Sequence, residues 1–230
     1  MSQSSSPAHG YRWYPAVVAV FVTCLITANI IAVKPVEVGG LIFPAAVVIF
    51  PLAYIFGDIL TEVYGYRRSR SVIWLGFFSA LLMSVTFIVV GKLPPAADWN
   101  GQAAYDQILG LTPRIVIASL IAYFSGEFSN SYILAKMKIW TGGRWLWTRT
   151  IGSTIVGELV DTALFVTIAF YGVIPNSLLI AVLVSNYVFK TGVEVLFTPI
   201  TYRMVRFLKR AEQEDYYDRD TNFNPFVTAK

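Results

Sequence analysis

Over its 230 residues the chain is 56% hydrophobic and 14% charged, with a formal net charge of +4 and a mean hydropathy of +0.59. A soluble domain carries about 25% charged residues, so this balance excludes an ordinary soluble globular protein and points to the membrane. The lone cysteine, Cys24, excludes an intramolecular disulfide and a cysteine metal cluster.

In chain order, a polar tail over 1–13 precedes a first apolar run over 14–33. That run is too long for a signal-peptide core and lacks a small-residue cleavage site, so it is expected to stay as a helix. Asn29 lies near its end and Lys34 just beyond it. The second run, 41–62, contains Pro44 and Pro51 and follows Gly39 and Gly40. Proline cannot donate to a helical ladder, which predicts a kinked or broken helix. Such backbone is tolerated in a bilayer where neighbours or a wet cavity satisfy it, so the run is a candidate cavity wall. It ends on Asp58 and Glu62, and Arg67, Arg68 and Arg70 follow. A third run spans 72–91; a fourth, 113–135, carries Glu127 and Asn130. Arg149 precedes the fifth run, 151–171, which carries Glu158 and Asp161, and the sixth, 177–202, carries Asn186, Lys190 and Glu194. Each run can cross a hydrocarbon core of about 30 Å. The expectation is an all-α integral membrane protein with six transmembrane helices in one domain over 14–208, followed by a tail over 209–230.

Counting Lys and Arg in alternate connections gives fourteen on the side of both termini and three, Lys34, Lys92 and Arg114, on the other. Cytoplasmic flanks retain positive charge, so both termini are expected in the cytoplasm, in agreement with an even number of spans. Positive-inside loops on anionic lipid account for the basic charge, and nucleic-acid binding is not inferred. The six Trp residues fall in predicted loops or near helix ends, where the indole ring suits the headgroup zone. Asn29 with Lys34 echoes Asn130 with Lys136, and Gly57-Asp58 echoes Gly157-Glu158, compatible with a 3+3 inverted repeat.

Ionisable residues at membrane depth each cost about 2.5–3.5 kcal/mol to insert and must meet partners, water or a ligand. Asp58 and Glu62 are four apart, Glu127 and Asn130 three, Glu158 and Asp161 three, and Asn186, Lys190 and Glu194 form one stripe at steps of four. Residues so spaced share a helix face. These groups are expected to meet in one polar cavity between the bilayer centre and the cytoplasmic third. Glu62 could instead pair with Arg67, Arg68 or Arg70, and Lys190 with Glu194. Enzyme chemistry fares poorly: the only histidine, His9, is in the N-terminal tail, and neither a zinc-binding H-E-x-x-H nor a G-x-S-x-G elbow is present.

The stretch from Phe50 to Tyr66, with Gly57-Asp58, Thr61-Glu62 and Tyr64-Gly65-Tyr66, followed by Arg70 and Trp74, resembles the signature of the queuosine precursor transporter family. Ala28-Asn29 with Lys34, Gly126-Glu127 through Asn130, Arg149, Ser153-Thr154, Glu158, Asp161-Thr162, Lys190, Glu194 and Pro199 extend the resemblance over roughly residues 14–210. It implies a multi-pass bacterial inner-membrane importer, related to vitamin uptake transporters, for 7-deazaguanine precursors of a modified tRNA nucleoside, without a cofactor. Under this reading Glu127, Glu158 and Asp161 hold the base, with Asn29, Asp58, Asn130, Asn186 and Lys190 around them. Lys34, Glu62, Arg70, Arg149 and Glu194 then form structural or gating ion pairs. A homodimer is compatible with the sequence. The alternative is the substrate-binding subunit of an energy-coupling-factor importer, which would need a partner ATPase because no P-loop is present.

Overall fold

The computed structural model describes residues 10–38, 41–110 and 113–227. His9, Gly39, Gly40 and Lys230 lie outside them. The order is α1 (Tyr14–Ile31), β1 (Pro35–Val38), β2 (Leu41–Pro44), a 3-10 turn (Ala45–Val48), α2 (Phe50–Tyr64), α3 (Tyr66–Gly91), α4 (Gln102–Leu109), α5 (Pro113–Trp140), α6 (Leu146–Phe170) and α7 (Asn176–Glu212). The fold is helical apart from one antiparallel hairpin, in which Pro35 pairs with Pro44 and Val38 with Leu41.

Among the described residues five segments are long and apolar enough to cross a membrane: α1, α3, α5 with the α4 segment before it, α6 and α7. The second predicted run differs from a simple span. Its first part is β2 and the 3-10 turn, and only Phe50–Tyr64 is α-helical, with Pro51 in the first turn. A missing N–H costs nothing at that position. Fifteen residues rise only about 22 Å, less than a full hydrocarbon core. Helix α2 is nonetheless the most enclosed element: Ile55, Ile59, Leu60, Val63 and Tyr64 are at most 1% exposed. It packs against α1, α3, α5 and α7. In lipid such apolar burial drives little by itself, so close packing and polar contacts hold the helices together.

The chain reverses between α2 and α3 at Gly65, whose φ is +85° and whose Cβ position would collide with the Tyr216 ring. Only glycine suits both demands. α5 and α6 make the most extensive helix pair. At their crossing a Cβ on Gly126 would lie 2.7 Å from Asp161 Cβ, and one on Gly157 would lie 2.7 Å from Asn130 Cβ. Each glycine carbonyl lies 3.1 Å from the other's Cβ position. These two glycines let the backbones approach and bring the acidic residues after them together.

The residues after α7 fold back on the helix ends. Arg70 Nη1 donates to the carbonyls of Asn222 and Asn224 at 2.9 and 2.8 Å, and Trp74 Nε1 to that of Pro225 at 2.9 Å. Tyr66 donates through its backbone N–H to Asp218 and through its hydroxyl to Phe223 O, both at 2.9 Å. At the end of α7, the Glu212 carboxylate accepts from the N–H groups of Arg12 and Trp13 at 3.0 and 2.6 Å, capping the start of α1. The expected C-terminal tail is therefore packed structure as far as Val227.

Candidate functional site

A cavity of about 490 Å³ opens among α1, α2, α5, α6 and α7, within the range of small-molecule sites. α1 contributes Asn29; α2, Asp58; α5, Glu127 and Asn130; α6, Glu158 and Asp161; α7, Asn186 and Lys190. All eight residues that the sequence marks as substrate-binding line this one space. The depth differs from expectation: Ala32, Phe170 and Val182 also line it, so it runs from mid-bundle to the end opposite the chain termini. Asn29 and Asn186 sit toward that mouth, because α1 ends and α7 begins there.

At mid-depth Lys190 Nζ lies 2.6 Å from Asp161 Oδ2 and 3.0 Å from Glu158 Oε2, and Tyr54 lines the same space. Asn130 Nδ2 donates to Asp58 Oδ1 at 3.1 Å; Asp58 Oδ2 and Asn130 Oδ1 are buried without a hydrogen-bond partner among the described residues. Glu127 Oε2 stands 3.5 Å from the Cβ position of Gly57, placing the carboxylate over α2. Asn29 and Asn186 donate to carbonyls of their own helices, Leu25 at 2.8 Å and Val182 at 3.0 Å. One lysine thus faces four carboxylates. Such a wall can accept N–H groups or hold a cationic ligand. Among the described residues no group of three or more His, Cys, Asp or Glu is arranged to hold a metal ion.

The sequence's ion-pair candidates divide differently. Glu62 is fully buried and takes a two-pronged contact from Arg149, 2.8 Å from Nε and 2.7 Å from Nη2. Lys209 joins the same carboxylate, while Lys138 donates to the Glu62 carbonyl at 2.6 Å and reaches Asp215 at 2.6 Å. Lys209 meets Asp215 at 2.7 Å. Glu62 therefore does not pair with Arg67, Arg68 or Arg70, and Arg70 binds carbonyls of the C-terminal segment instead. Lys34 is exposed and forms no ion pair among the described residues. Glu194 is 1% exposed with neither carboxylate oxygen hydrogen-bonded, so the expected Lys190–Glu194 bridge is absent. Lys190 turns to α6 because the carboxylates there face it directly.

Outside the membrane-spanning helices, Asp215 responds to this cluster. Burial would push its carboxyl up, but hydrogen bonds and charge from Lys138 and Lys209 outweigh burial and hold it below the usual carboxylate range. Sequence reading missed Lys138, Lys209, Asp215, the Gly126–Gly157 crossing and Tyr54. Glycines directly before Glu127 and Glu158 were a legible sign of the close α5–α6 crossing.

Residues 44–204 match the family model of vitamin uptake transporters. Over 191 residues, 82% of this chain and 82% of the relative, the sequence is 31% identical to the probable queuosine precursor transporter of Bacillus subtilis (strain 168). The chain belongs to the queuosine precursor transporter family. A second relative, the queuosine precursor transporter of Escherichia coli (strain K12), is 25% identical over 175 residues, covering 74% of this chain and 76% of the relative. No solved structure matches significantly. As a member of the queuosine precursor transporter family the chain is a multi-pass inner-membrane transporter rather than an enzyme. The matched span contains seven of the eight residues expected from the sequence to bind substrate, all but Asn29.

Proposed function

We propose that this chain imports queuosine precursors, 7-deazaguanine bases such as preQ0, preQ1 or queuine, for tRNA modification, with both termini in the cytoplasm. One observation carries the reading: four carboxylates and one lysine converge in a single cavity large enough for a purine-like base. A guanine-like edge presents adjacent N–H donors, which a carboxylate accepts with two-pronged geometry. Lys190 pairs with Glu158 and Asp161, and Asp58 is engaged by Asn130, so Glu127 is left as the carboxylate for that edge or for the aminomethyl cation of preQ1. Asn130 and Lys190 are placed to address the carbonyl edge.

The cavity reaches the end away from the termini, while the other end is closed by the Glu62–Arg149–Lys209 cluster. This is the form expected of a carrier facing outward. The test is calorimetric binding of preQ0 and preQ1 to the detergent-purified protein, with guanine and an unrelated vitamin as controls. Selective binding that Glu158→Gln removes supports the substrate class and the site; uptake that survives Glu158→Gln combined with Asp161→Asn overturns the site. Uptake by the purified protein alone in liposomes separates a solitary carrier from a subunit dependent on a partner ATPase.

A further inference from the structure

Glu194 presents a problem that the cavity does not solve. Its side chain is 1% exposed, and both carboxylate oxygens lack a hydrogen-bond partner among the described residues. It lies one turn from Lys190 along α7, on the side away from the cavity mouth, and outside the cavity lining. Across the α2–α7 contact stands Asp58, itself 1% exposed with Oδ2 unpartnered, and the two carboxylates are within Coulombic reach of one another. One turn further along α2, Glu62 is saturated by Arg149 and Lys209. Three acidic levels thus run from the cavity floor to the closed end.

Among the described residues no cation pairs with Glu194. The charged groups that act on Glu194 are themselves acidic: Asp58 from α2, Glu127 from α5 and Glu158 from α6. Lys190 is committed to α6 and Arg149 to Glu62. An unpaired charge in such a site costs several kcal/mol, whereas the neutral acid avoids that cost. Among the described residues no group of three or more acidic side chains is arranged to coordinate a metal ion, but a proton needs neither extra ligands nor room.

We propose that Glu194 is a proton-binding site of the carrier, loaded through Asp58 from the cavity side, so that solute and proton move together. The inference rests on the transporter reading. In the arrangement described here the O–H bond of Glu194 is intact. When the bundle opens at the end carrying the termini, the proton leaves to water there and the carboxylate comes into the field of the Lys138, Arg149 and Lys209 cations. The return to the present arrangement takes a proton from the opposite side. Net inward solute movement is then linked to inward proton movement.

Two measurements test this. The first does not involve cargo: infrared spectra of the purified protein at neutral pH should show a protonated-carboxyl C=O band that Glu194→Gln removes. A wild-type spectrum without a Glu194-dependent band overturns the proposal. The second uses liposomes and preQ0, chosen because its nitrile adds no ionisable amine. At one proton per solute, an inward gradient of about one pH unit should raise wild-type accumulation about tenfold. Glu194→Gln, a neutral isostere, should retain preQ0 counterflow and lose that response. Counterflow that persists while wild-type accumulation ignores the gradient overturns the proton site. Absence of preQ0 counterflow overturns the cargo reading instead, and the infrared band then decides the proton site alone.

Discussion

Lys190 on α7 lies 2.6 Å from Asp161 on α6 and draws Glu158, one turn away on the same helix, to 3.0 Å. One cation therefore offsets half of the charge that two carboxylates bring to mid-membrane. Breaking a buried pair by removing one partner costs about 3–5 kcal/mol, because the other charge stays behind. Lys190 retains 18% exposure in the cavity, so the lower end applies. Lys190→Met should lower the thermal unfolding midpoint and abolish uptake, whereas Lys190→Met combined with Asp161→Asn should recover part of the lost stability, because Glu158 still lacks its cation, and no uptake. Equal midpoints for Lys190→Met and the parent protein would mean that the ion pair is not structural.

The α5–α6 crossing gives a prediction with an internal control. A methyl at Gly126 or Gly157 would stand 2.7 Å from a neighbouring Cβ, with backbone carbonyl 3.1 Å away. Neither neighbour is a flexible side-chain end, so the helices must separate; overpacking of this kind costs about 1–3 kcal/mol. At Gly57 the added methyl meets Glu127 and Phe21 at 3.5 Å, an ordinary contact. Gly126→Ala and Gly157→Ala should each destabilise the purified protein and weaken substrate binding, while Gly57→Ala should leave stability near the parent value. Thermal unfolding in detergent distinguishes the three.

The convergence of eight polar residues was legible because ionisable groups at membrane depth have few places to go: helical spacing puts each set on one face, and the faces must meet. Pairing was less legible. The four-residue step joins Lys190 and Glu194 on α7, yet Lys190 answers to α6, since contact between helices depends on their rotation and crossing. Glu62 lies close in sequence to three arginines, but the chain reverses at Gly65 and the cations that reach Glu62 come from α5, α6 and α7. Depth was misjudged for Asn29 and Asn186, whose helices run toward and away from the mouth. The C-terminal segment is polar enough to read as a tail, and its order comes from carbonyls that accept from Arg70 and Trp74, donors far away in sequence.

Asp215 carries a pH dependence whose sign follows from its surroundings. With its carboxyl held below the usual range by Lys138 and Lys209, the folded form favours the carboxylate. The stabilisation is fully present above the unfolded value of about 3.9 and is lost as pH falls through the lower folded value. Asp215 is nearly half exposed, so the effect is modest. Asp215→Asn should lower stability at neutral pH and flatten the fall between about pH 5 and pH 3. Identical acid limbs in variant and parent would place the docking of the C-terminal segment on its carbonyl contacts alone.

Glu127 should decide between cargoes. Glu158 and Asp161 share Lys190, and Asp58 is engaged by Asn130, but Glu127 has no ion pair among the described residues and faces the cavity from α5. A hydrogen bond to a charged group contributes about 1.5–3 kcal/mol, so Glu127→Gln should weaken binding about 10- to 100-fold. A glutamine keeps one acceptor but replaces the other with an NH2 group that confronts the base's own donors. For preQ1 the loss should exceed that for preQ0, because the aminomethyl cation forfeits a charge partner as well. Calorimetric titration of both bases against parent and variant measures the difference. Equal losses would place the aminomethyl group nearer Asp58 or Glu158, and unchanged affinity for both would remove Glu127 from the site.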